Sequence, residues 1–493
     1  MSEEILMNVT PMETRVALVE DGVLQEVFVE RERSRGIVGN IYLGKVVRVL
    51  PGMQAAFVDI GLEKASYLHA DDIVVDGETD SAKHNGGIQF LVREGDAILV
   101  QVLKDPLGTK GARVSGALSV SSRNLVYMPQ SDHIGVSNKI ESAVQREQLK
   151  DTLSSVLEQE QGKPIADIKG GYIIRTAAES FAEQDFVADV RYLQRLWQAL
   201  EKKIAAQTAP SLVYEELHIS ERVMRDNVYP ELEKIRVDND EVFQRLQKFA
   251  AEFIPEYSSK LESYNAERPI FDMFSIEEEI EKALGRKVEL KSGGYLIIDQ
   301  TEALTTIDIN TGAFVGKRNL DETIFKTNLE AANALARQIR LRNLGGIIIV
   351  DFIDMQSEEH QRQVLRALEK AVRKDRSKIA VGTFTRLGLV EITRQRTRES
   401  LEYTLCEPCP VCQSRGMLRS AETVCSEIFR EILRAARTYE QDKLLVLASE
   451  PVVDRLVDED SAAVADLQKA LGKSIEFQVE PVYTQEQYDV VLL

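Results

Sequence analysis

Three polar side chains in the middle of the chain have the types and spacing of a metal-dependent hydrolytic site. Asp308 and Asn310 stand two residues apart in TIDIN, so on a strand they project from one face. Asp351 ends the apolar run GGIIIVD. Carboxylate oxygens are preferred ligands of Mg²⁺, which can lower the pKa of a water and stabilise charge on a phosphoryl oxygen. On pattern alone an Asp at a strand end is more often a cap or turn residue.

The elements around these residues predict that they converge. The sequence predicts a hairpin, a helix and a buried strand in succession, which is a βαβ unit with parallel outer strands. The carboxyl ends of such strands share one sheet edge, where ligands of open α/β sheets bind. A further helix and two strands continue the layer. The segments are GGYLIIDQTEALTTIDIN, NLDETIFKTNLEAANALARQIRLRN, LGGIIIVDFIDM, SEEHQRQVLRALEKAVRK, KIAVGTFT and GLVEIT.

Composition indicates a cytoplasmic protein of several domains. The 493 residues are too many for one hydrophobic core, the first residues are acidic, and no apolar run approaches the ~20 residues that span a bilayer, so we expect no membrane association. The net charge of -19 argues against a polyanionic partner, but residues 361–398 hold eleven Lys/Arg and three Asp/Glu, a local +8. Either a polyanion site or a solvated basic face would explain that segment. The five histidines are scattered singly, so no paired-histidine nuclease site is indicated.

Other parts of the chain carry simpler signals. Asp21-Gly22 between two β-rich runs predicts a hairpin. Short glycine-punctuated runs from GNIYLG to ARVSG predict a small five-stranded barrel of the OB type. GGYIIRT is typical of a strand, EQDFVADVRYLQRLWQALEKKIA of a helix and TAPSL of a linker, while residues 213–280 are predicted to be mostly amphipathic helix.

Several long motifs, in one order along the whole chain, resemble the ribonuclease E/G family. They are GNIYLGKVVRVLPGMQAAFVDIG, KDPLGTKGA, IIRTA, KSGGYLIIDQTEALTTIDINTG, FKTNLEAANALARQIRLRNLGGIIIVDFIDM and CPVCQSRG. The resemblance implies an α/β and α+β multidomain fold, with an OB-type barrel inserted in a ribonuclease-H-like domain and followed by a deoxyribonuclease-I-like catalytic domain, a zinc link and a small α+β domain.

The implied domain boundaries divide the chain into seven segments. They are 1–36 and 213–280 for the two parts of the ribonuclease-H-like domain, 37–121 for the OB-type RNA-binding domain, 122–212 for a 5′-end sensor, 281–400 for the catalytic domain, 401–420 for the zinc link and 421–493 for the small C-terminal domain, for which assembly is the expected role.

For the catalytic residues, the resemblance implies that Asp308 and Asp351 bind the catalytic Mg²⁺ and that Asn310 orients the metal or the scissile phosphate. The implied reaction is endonucleolytic hydrolysis of single-stranded A/U-rich RNA, giving 5′-phosphate and 3′-hydroxyl ends. The implied substrates are ribosomal RNA precursors, which the enzyme would mature, and messenger RNA, which it would degrade.

The resemblance also assigns a 5′-phosphate sensor to Arg175 and Thr176, with the backbone of Val126 as a third contact. From the residues alone, an Arg can hold a phosphate bidentately, yet an Arg after a strand is usually only a surface residue. Ser122 stands where part of the family has a glycine, so the edge of this pocket is expected to differ. A 5′-monophosphate is expected to stimulate cleavage.

In the barrel, Phe57 and Tyr67 could stack on bases, and Lys104 and Lys110 could contact the RNA backbone. Either aromatic side chain could instead belong to the barrel core. With the resemblance the RNA contact is favoured, and Arg113 is a weaker candidate.

Cys409 and Cys412 form CPVC, half of a tetrahedral thiolate site. The resemblance implies that two protomers share one structural Zn²⁺ in a homodimer, with pairing into a homotetramer left open. The alternative is a site within one chain formed by Cys406, Cys409, Cys412 and Cys425, holding zinc or an iron–sulfur cluster. Cys425 lies on an apolar helix face, which favours core packing.

Two other functions remain open from the sequence. A non-catalytic RNA-binding or scaffold protein would use the barrel and the basic segment equally well, but it would not need Asp308, Asn310 and Asp351 together. A deoxyribonuclease would share the metal chemistry but would not need surfaces for single-stranded RNA.

Overall fold

The computed structural model describes residues 3–73, 87–107, 110–138, 140, 142–176, 178, 183–228, 232–312, 320–396, 398–439 and 441–493. The chain divides into two compact units, Met1–Thr404 and Leu405–Leu493. Gly108 and Thr109 of the KDPLGTKGA motif lie outside the described residues. Within the part described, no helix combines the length and the apolar character needed to cross a membrane.

Strands of the described residues form five sheets. In chain order the strands are β1 (Glu3–Val9), β2 (Glu13–Glu20), β3 (Val23–Arg31), β4 (Ile41–Leu50), β5 (Ala55–Asp59), β6 (Ser66–His69), β7 (Ala97–Lys104), β8 (Arg113–Ser115), β9 (Val120–Ser121), β10 (Leu125–Met128), β11 (Ile134–Val136), β12 (Gly171–Ile174), β13 (Ser211–Tyr214), β14 (Leu232–Val237), β15 (Leu261–Ser263), β16 (Lys287–Glu289), β17 (Tyr295–Gln300), β18 (Leu304–Asn310), β19 (Gly346–Asp351), β20 (Ile379–Phe384), β21 (Leu389–Arg394), β22 (Lys443–Ala448), β23 (Ser474–Val479) and β24 (Tyr488–Leu492).

The helices cover or connect these sheets. They are α1 (Ala143–Gln161), α2 (Glu183–Ala206), α3 (Ile219–Asn227), α4 (Asp240–Phe253), α5 (Ile270–Met273), α6 (Ile276–Leu284), α7 (Leu320–Leu341), α8 (Glu358–Val372), α9 (Leu401–Leu405), α10 (Ala421–Thr438), α11 (Glu450–Val457) and α12 (Ser461–Leu471).

The first sheet, of order β15-β14-β1-β2-β3, joins the N-terminus to a segment far along the chain. The hairpin predicted at Asp21-Gly22 is confirmed: β2 and β3 are antiparallel, and both turn residues have positive φ, 48° and 77°. β14 pairs with β1 in parallel. Helices, 3₁₀ turns included, make up more than half of the described residues in 213–280, as predicted, but strands β14 and β15 lie between them and were not predicted. Their short apolar runs did not distinguish strand from helix, an ambiguity expected at this length.

The predicted five-stranded barrel is confirmed. β4, β5, β6, β8 and β7 are hydrogen-bonded in that order, and pairing of β4 with β7 closes the ring. Buried residues from alternate strand positions, among them Val46, Val58 and Leu68, fill its interior. The interpretation of TAPSL as a linker is wrong in part, because Ser211 begins β13, which extends the barrel sheet beside β4.

Residues 120–206 form a four-stranded sheet, β11-β12-β10-β9, with α1 and α2 packed together beside it. The predicted strand and helix are confirmed as β12 and α2. Val190, Leu193 and Leu200 of α2 are buried, as their helical spacing predicts, in a core that also contains residues of the first sheet.

The predicted α/β layer is confirmed as a six-stranded sheet of order β16-β17-β18-β19-β21-β20. β17 and β18 form the hairpin, α7 follows, and β18 and β19 are parallel. The core on one face of the sheet contains Ala331, Leu335 and Ile339 of α7, which recur every four residues. The prediction of β19 as a buried strand holds for one face only: Ile348 and Val350 are fully buried, whereas Ile347 on the face opposite the α7 core is 50% exposed.

The second unit is a small sheet, β23-β22-β24, packed with α10, α11 and α12. It has the α+β character expected of the C-terminal region. Cys425 is 1% exposed in its core beside Ile428 and Ile432, and its Sγ lies 3.7 Å from the Val452 carbonyl oxygen. Core packing of this cysteine is thus confirmed.

Buried ion pairs hold the α/β sheet and the first sheet together. Arg340 of α7 binds the carboxylates of Glu20 and Glu26, and Lys374 also reaches Glu20. A second buried pair lies within the α/β part itself: Arg394 in β21 is 2.8 Å from Asp375, with side chains only 3% and 6% exposed. The basic segment is therefore not a single surface patch, since part of it neutralises buried carboxylates.

Removing one partner of the Arg394–Asp375 pair should destabilise the protein strongly, because it leaves a buried charge without its counter-ion. For Asp375→Ala we expect a loss of about 3–5 kcal/mol, measured as a lower urea midpoint by circular dichroism. The matched control is Glu322→Ala, which breaks the exposed Glu322–Lys326 pair of α7 and should barely move the midpoint. Equal midpoints for the two variants would show that the buried pair is dispensable.

Candidate active site

The two aspartates predicted to meet do so at the last rung of the parallel ladder. Asp308 of β18 and Asp351 of β19 are direct register partners. Neighbouring strands lie about 4.8 Å apart, so the two carboxylates are close enough to share one ion. Both residues are exposed, on the open face of the sheet. The apolar residue next to each aspartate on its strand, Ile309 in β18 and Val350 in β19, points to the opposite, buried face.

Asn310 joins this pair as its spacing predicts. Its Nδ2 donates a 2.8 Å hydrogen bond to Oδ2 of Asp308. The backbone here runs close to the neighbouring hairpin strand: a Cβ on Gly294 would lie 2.7 Å from the Asn310 carbonyl oxygen. Glycine at 294 is therefore needed for the strand that carries Asn310 to pack at this distance.

The electrostatics of the pair favour a bound cation. Burial, then the charges of Asp308 and Asp354, raise the pKa of Asp351 above its usual value. A cation between the carboxylates would relieve this repulsion, and their hard oxygen atoms fit Mg²⁺. Among the described residues, no group of three or more His, Cys, Asp or Glu side chains is arranged to hold a metal ion. An ion bound here would therefore take its remaining ligands from water or substrate.

Asn328 of α7 positions the segment that follows Asp351, and the sequence analysis missed it. Its side chain is fully buried, its Nδ2 donates to the Ile353 carbonyl (2.8 Å), and its Oδ1 accepts from the Ile353 N–H (3.2 Å). A buried amide that satisfies both backbone groups of one residue fixes that loop. The available signal was an Asn on the apolar face of a predicted helix.

The residues assigned to a 5′-phosphate sensor lie at the end of β12. The Arg175 Nη1 donates to the carbonyl oxygens of Ser122 (2.8 Å) and Arg123 (3.2 Å). Thr176 Oγ1 lies 3.4 Å from Ser137 Oγ. Val126 lies within β10, in register with Ile173. The structure thus brings Arg175 and Thr176 to the end of the sheet and leaves Val126 along its neighbouring strand.

Two cavities adjoin these residues. Thr176 lines a cavity of about 500 Å³ together with Arg373 and Lys378. Arg175 lines another of about 440 Å³, where arginines from several elements outnumber acids. The cationic lining residues of this second cavity are Arg123, Arg175, Arg222, Arg376, Arg394 and Arg398, against Glu26, Asp226 and Asp375.

The pKa values of three of these side chains are lowered, mainly because they are buried: Arg123, Arg376 and Arg398. Five of the cavity-lining cations belong to the basic segment, which is the signal that could have found them: Arg373, Arg376, Lys378, Arg394 and Arg398. Bringing several partly desolvated cations together favours an anionic ligand near Arg175 and Thr176.

The barrel carries a continuous row of cationic and aromatic residues. Across neighbouring strands Arg48 pairs with Phe57, Phe57 with Tyr67, Tyr67 with Arg113, and Arg113 with Lys104. Phe57 and Tyr67 meet edge to face at 6.1 Å. Both rings are partly exposed and lie outside the barrel core, so the core alternative is wrong.

Arg48 was not predicted as an RNA contact, and Arg113 was predicted only as a weaker one. A single sequence does not show which residues lie opposite each other on neighbouring strands. Lys110 lies outside the row, in the loop between β7 and β8, where it bridges to Leu107. The row has the composition of a surface that stacks bases and binds phosphates.

The CPVC cysteines lie in a tight turn. The Gln413 N–H donates to the Cys409 carbonyl (2.8 Å) and the Arg415 N–H to the Cys412 carbonyl (3.0 Å). Backbone N–H groups of Cys412 and Val411, followed by the Cys412 thiol, lower the pKa of Cys409. This stabilises the thiolate that a metal ion requires. A site within one chain that includes Cys425 is not formed, because that thiol lies in the core of the second unit.

Comparison with known proteins places the chain in one family. Residues 119–397 match the model of the Ribonuclease E/G family. The chain is 54% identical over 499 residues to Ribonuclease G of Salmonella typhimurium (strain SL1344), covering 100% of both chains. It is 51% identical to Ribonuclease G of Haemophilus influenzae, covering 99% of both, and 36% identical to Ribonuclease E of Escherichia coli (strain K12), covering 94% of this chain and 43% of that one. With the paired carboxylates, the closed barrel and a full-length likeness of this strength, the protein belongs to the ribonuclease E/G family.

Proposed function

We propose that the protein is a Mg²⁺-dependent endoribonuclease that cuts single-stranded, A/U-rich RNA. The observation that carries this proposal is the register pairing of Asp308 with Asp351, beside Asn310, on an open sheet face. Family membership supplies the substrate class. A purely RNA-binding protein would have no need for this pair of mutually repelling carboxylates.

Asp308 and Asp351 would hold the ion, and the Asn310 amide fixes the Asp308 carboxylate through its 2.8 Å hydrogen bond. When bound, Mg²⁺ supplies an activated water and neutralises charge on the scissile phosphate. In the hydrolysis a water oxygen would form the new bond to phosphorus as the bond from phosphorus to the 3′ oxygen breaks, and a proton released by the water would balance the one that the leaving 3′ oxygen takes up. The products are a 5′-phosphate on one fragment and a 3′-hydroxyl on the other.

The barrel row would hold the single strand. Phe57 and Tyr67 offer ring edges and faces for bases, and the flanking Arg48, Arg113 and Lys104 offer charges for the RNA backbone. Lys110, in the neighbouring loop, adds a further phosphate contact. A strand bound by stacking must be unpaired, which agrees with a single-stranded substrate.

Arg175 and Thr176 would recognise a 5′-monophosphate, with Val126 contributing a backbone contact. The two cavities that they line are rich in cations, which supports an anionic end group as ligand. Ser122 is fully buried, and its hydroxyl bonds with both backbone groups of Leu125, so its side chain shapes the loop rather than the phosphate site itself.

The proposed biological role is maturation of ribosomal RNA precursors and messenger RNA decay in the cytoplasm. Two protomers would each contribute Cys409 and Cys412 to one structural Zn²⁺. Two thiolates fill half of a tetrahedral site, which supports a homodimer joined by the metal. Further pairing into a homotetramer would need a second interface.

Replacing either aspartate should abolish cleavage while RNA binding survives. For Asp308→Asn or Asp351→Asn we expect a loss of roughly 10²-fold or more, measured on a 5′-monophosphorylated A/U-rich oligoribonucleotide with and without Mg²⁺. The control is Glu391→Gln, an exposed carboxylate on the neighbouring β21, which should retain activity. Full activity of either aspartate variant would refute the site.

Substitutions in the barrel row should weaken RNA binding. In an Asp308→Asn background, Tyr67→Ala should cost about 1–3 kcal/mol through lost stacking. Arg113→Gln should reduce the salt dependence of log K by about 0.7, the value for one phosphate contact to a single strand. Fluorescence anisotropy across a salt series measures both. Arg93→Gln removes the same charge from a loop outside the row and should leave the slope unchanged; an equal effect there would indicate a general charge effect.

Zinc should be shared between chains. Native mass spectrometry of the purified protein should show a dimer with one zinc, and Cys409→Ser or Cys412→Ser should give zinc-free monomers. Cys406→Ser, which changes an exposed cysteine outside the CPVC pair, is the control and should keep the zinc-bound dimer. A zinc-containing monomer would contradict the shared site.

A further inference from the structure

The orientation of Arg175 is set by one short loop, residues 122–124. All three carbonyl groups of this loop accept hydrogen bonds from Arg175: those of Ser122 and Arg123 from its guanidinium, and that of Asn124 from its backbone N–H at 2.8 Å. An Arg presents a planar fork, so its direction decides whether it can meet a phosphate. Any movement of this loop would therefore turn the guanidinium.

The loop in turn is anchored to α2 by a buried carboxylate. Oδ2 of Asp189 accepts a 2.8 Å hydrogen bond from the Asn124 N–H. Polar contacts from the side chains of Asn124 and Ser122, together with the charge of Arg123, lower the pKa of Asp189. Asp189 is only 8% exposed. Its polar contacts thus reach every residue of the loop that orients Arg175.

A carboxylate at this position is costly for stability. Burial raises the pKa of Asp189 to about 6, although the hydrogen bonds from the loop act in the opposite direction. An apolar side chain at this position would leave the Asn124 N–H without its acceptor. The neighbours of Asp189 on α2, Val190 and Leu193, are apolar and pack into the core. The acid therefore stands on an otherwise apolar helix face, and it accepts a hydrogen bond from the loop that orients Arg175.

We propose that Asp189 is a positioning residue for 5′-end recognition: it fixes loop 122–124 and thereby holds Arg175 in the orientation that binds a terminal phosphate. The proposal rests on the proposed sensor function of Arg175. Asp189 itself does not touch the substrate; it acts through the loop.

The test compares two oligoribonucleotides of identical sequence, one with a 5′-monophosphate and one with a 5′-hydroxyl. The readout is the ratio of their kcat/KM values. Asp189→Ala removes the acceptor and should lower the ratio by roughly tenfold, the value of one charge-assisted hydrogen bond, while cleavage of the 5′-hydroxyl substrate is unchanged. Asp189→Asn keeps an oxygen that can accept from the Asn124 N–H and should retain most of the preference.

The structural control is Leu193→Ala, one turn further along α2, which removes a buried apolar side chain and no hydrogen-bonding group. It should lower the thermal midpoint and leave the substrate ratio intact. An Asp189→Ala ratio that falls no further than the Leu193→Ala ratio would overturn the proposal. If Asp189→Ala does not fold, Asn124→Ala, which removes a side-chain contact to the same carboxylate, should lower the ratio a few-fold; an unchanged ratio there overturns it equally.

The wild-type ratio of kcat/KM values for the two substrates tests the sensor function of Arg175 separately from the positioning role of Asp189. A wild-type ratio of one would remove the sensor itself. A wild-type preference that Arg175→Gln abolishes but Asp189→Ala preserves would leave the sensor standing and remove only the positioning role of Asp189.

Discussion

Parallel pairing of β18 with β19 is the constraint on which the rest of the site depends. A parallel ladder places the carboxyl ends of both strands at one edge, and its register opposes Asp308 to Asp351. A shift of one residue in either strand would turn one carboxylate into the apolar core against α7. The register is held because Ile307, Ile309, Ile348 and Val350 fill that core, so the packing on one face determines the chemistry on the other.

The cationic side chains also divide into two sets: some stabilise the fold in buried ion pairs, and others lie where an anion could bind. The chain is acidic overall, yet some of its arginines neutralise buried acids: Arg340 binds Glu20 and Glu26 of the first sheet, and Arg394 binds Asp375 within the α/β part. Others line the cavities beside Arg175 and Thr176. The barrel contributes a separate row, exposed and combined with aromatic rings. Net charge therefore says little about where an anion binds, because location and burial of each cation decide it.

The features that the sequence predicted correctly are those set by local residue patterns and by the order of strands and helices. The Asp21-Gly22 hairpin, the barrel, the βαβ unit and the convergence of Asp308 with Asp351 follow from turn residues, alternation and chain topology. Features that depend on distant pairing were missed: β14 beside β1, the alignment of Arg48 and Arg113 with the aromatic pair, and Asn328 bridging to Ile353. The open face of β19 was missed because an apolar run does not show how many of its sides are covered. The roles of Arg175, Thr176 and the CPVC pair came from the family resemblance, since their residue types alone fit many uses.

The first sheet has a consequence for synthesis on the ribosome. β1 emerges early and can form its antiparallel meander with β2 and β3, but its other edge pairs with β14, and the contact from Val9 to Asp238 spans 229 residues. At about 5–20 residues per second, this edge waits tens of seconds for its partner. During that time an unpaired strand edge can join other chains. The polar residues Glu3, Glu4 and Asn8 in β1, and early folding of the barrel between the two halves, would limit such misassembly in the nascent chain.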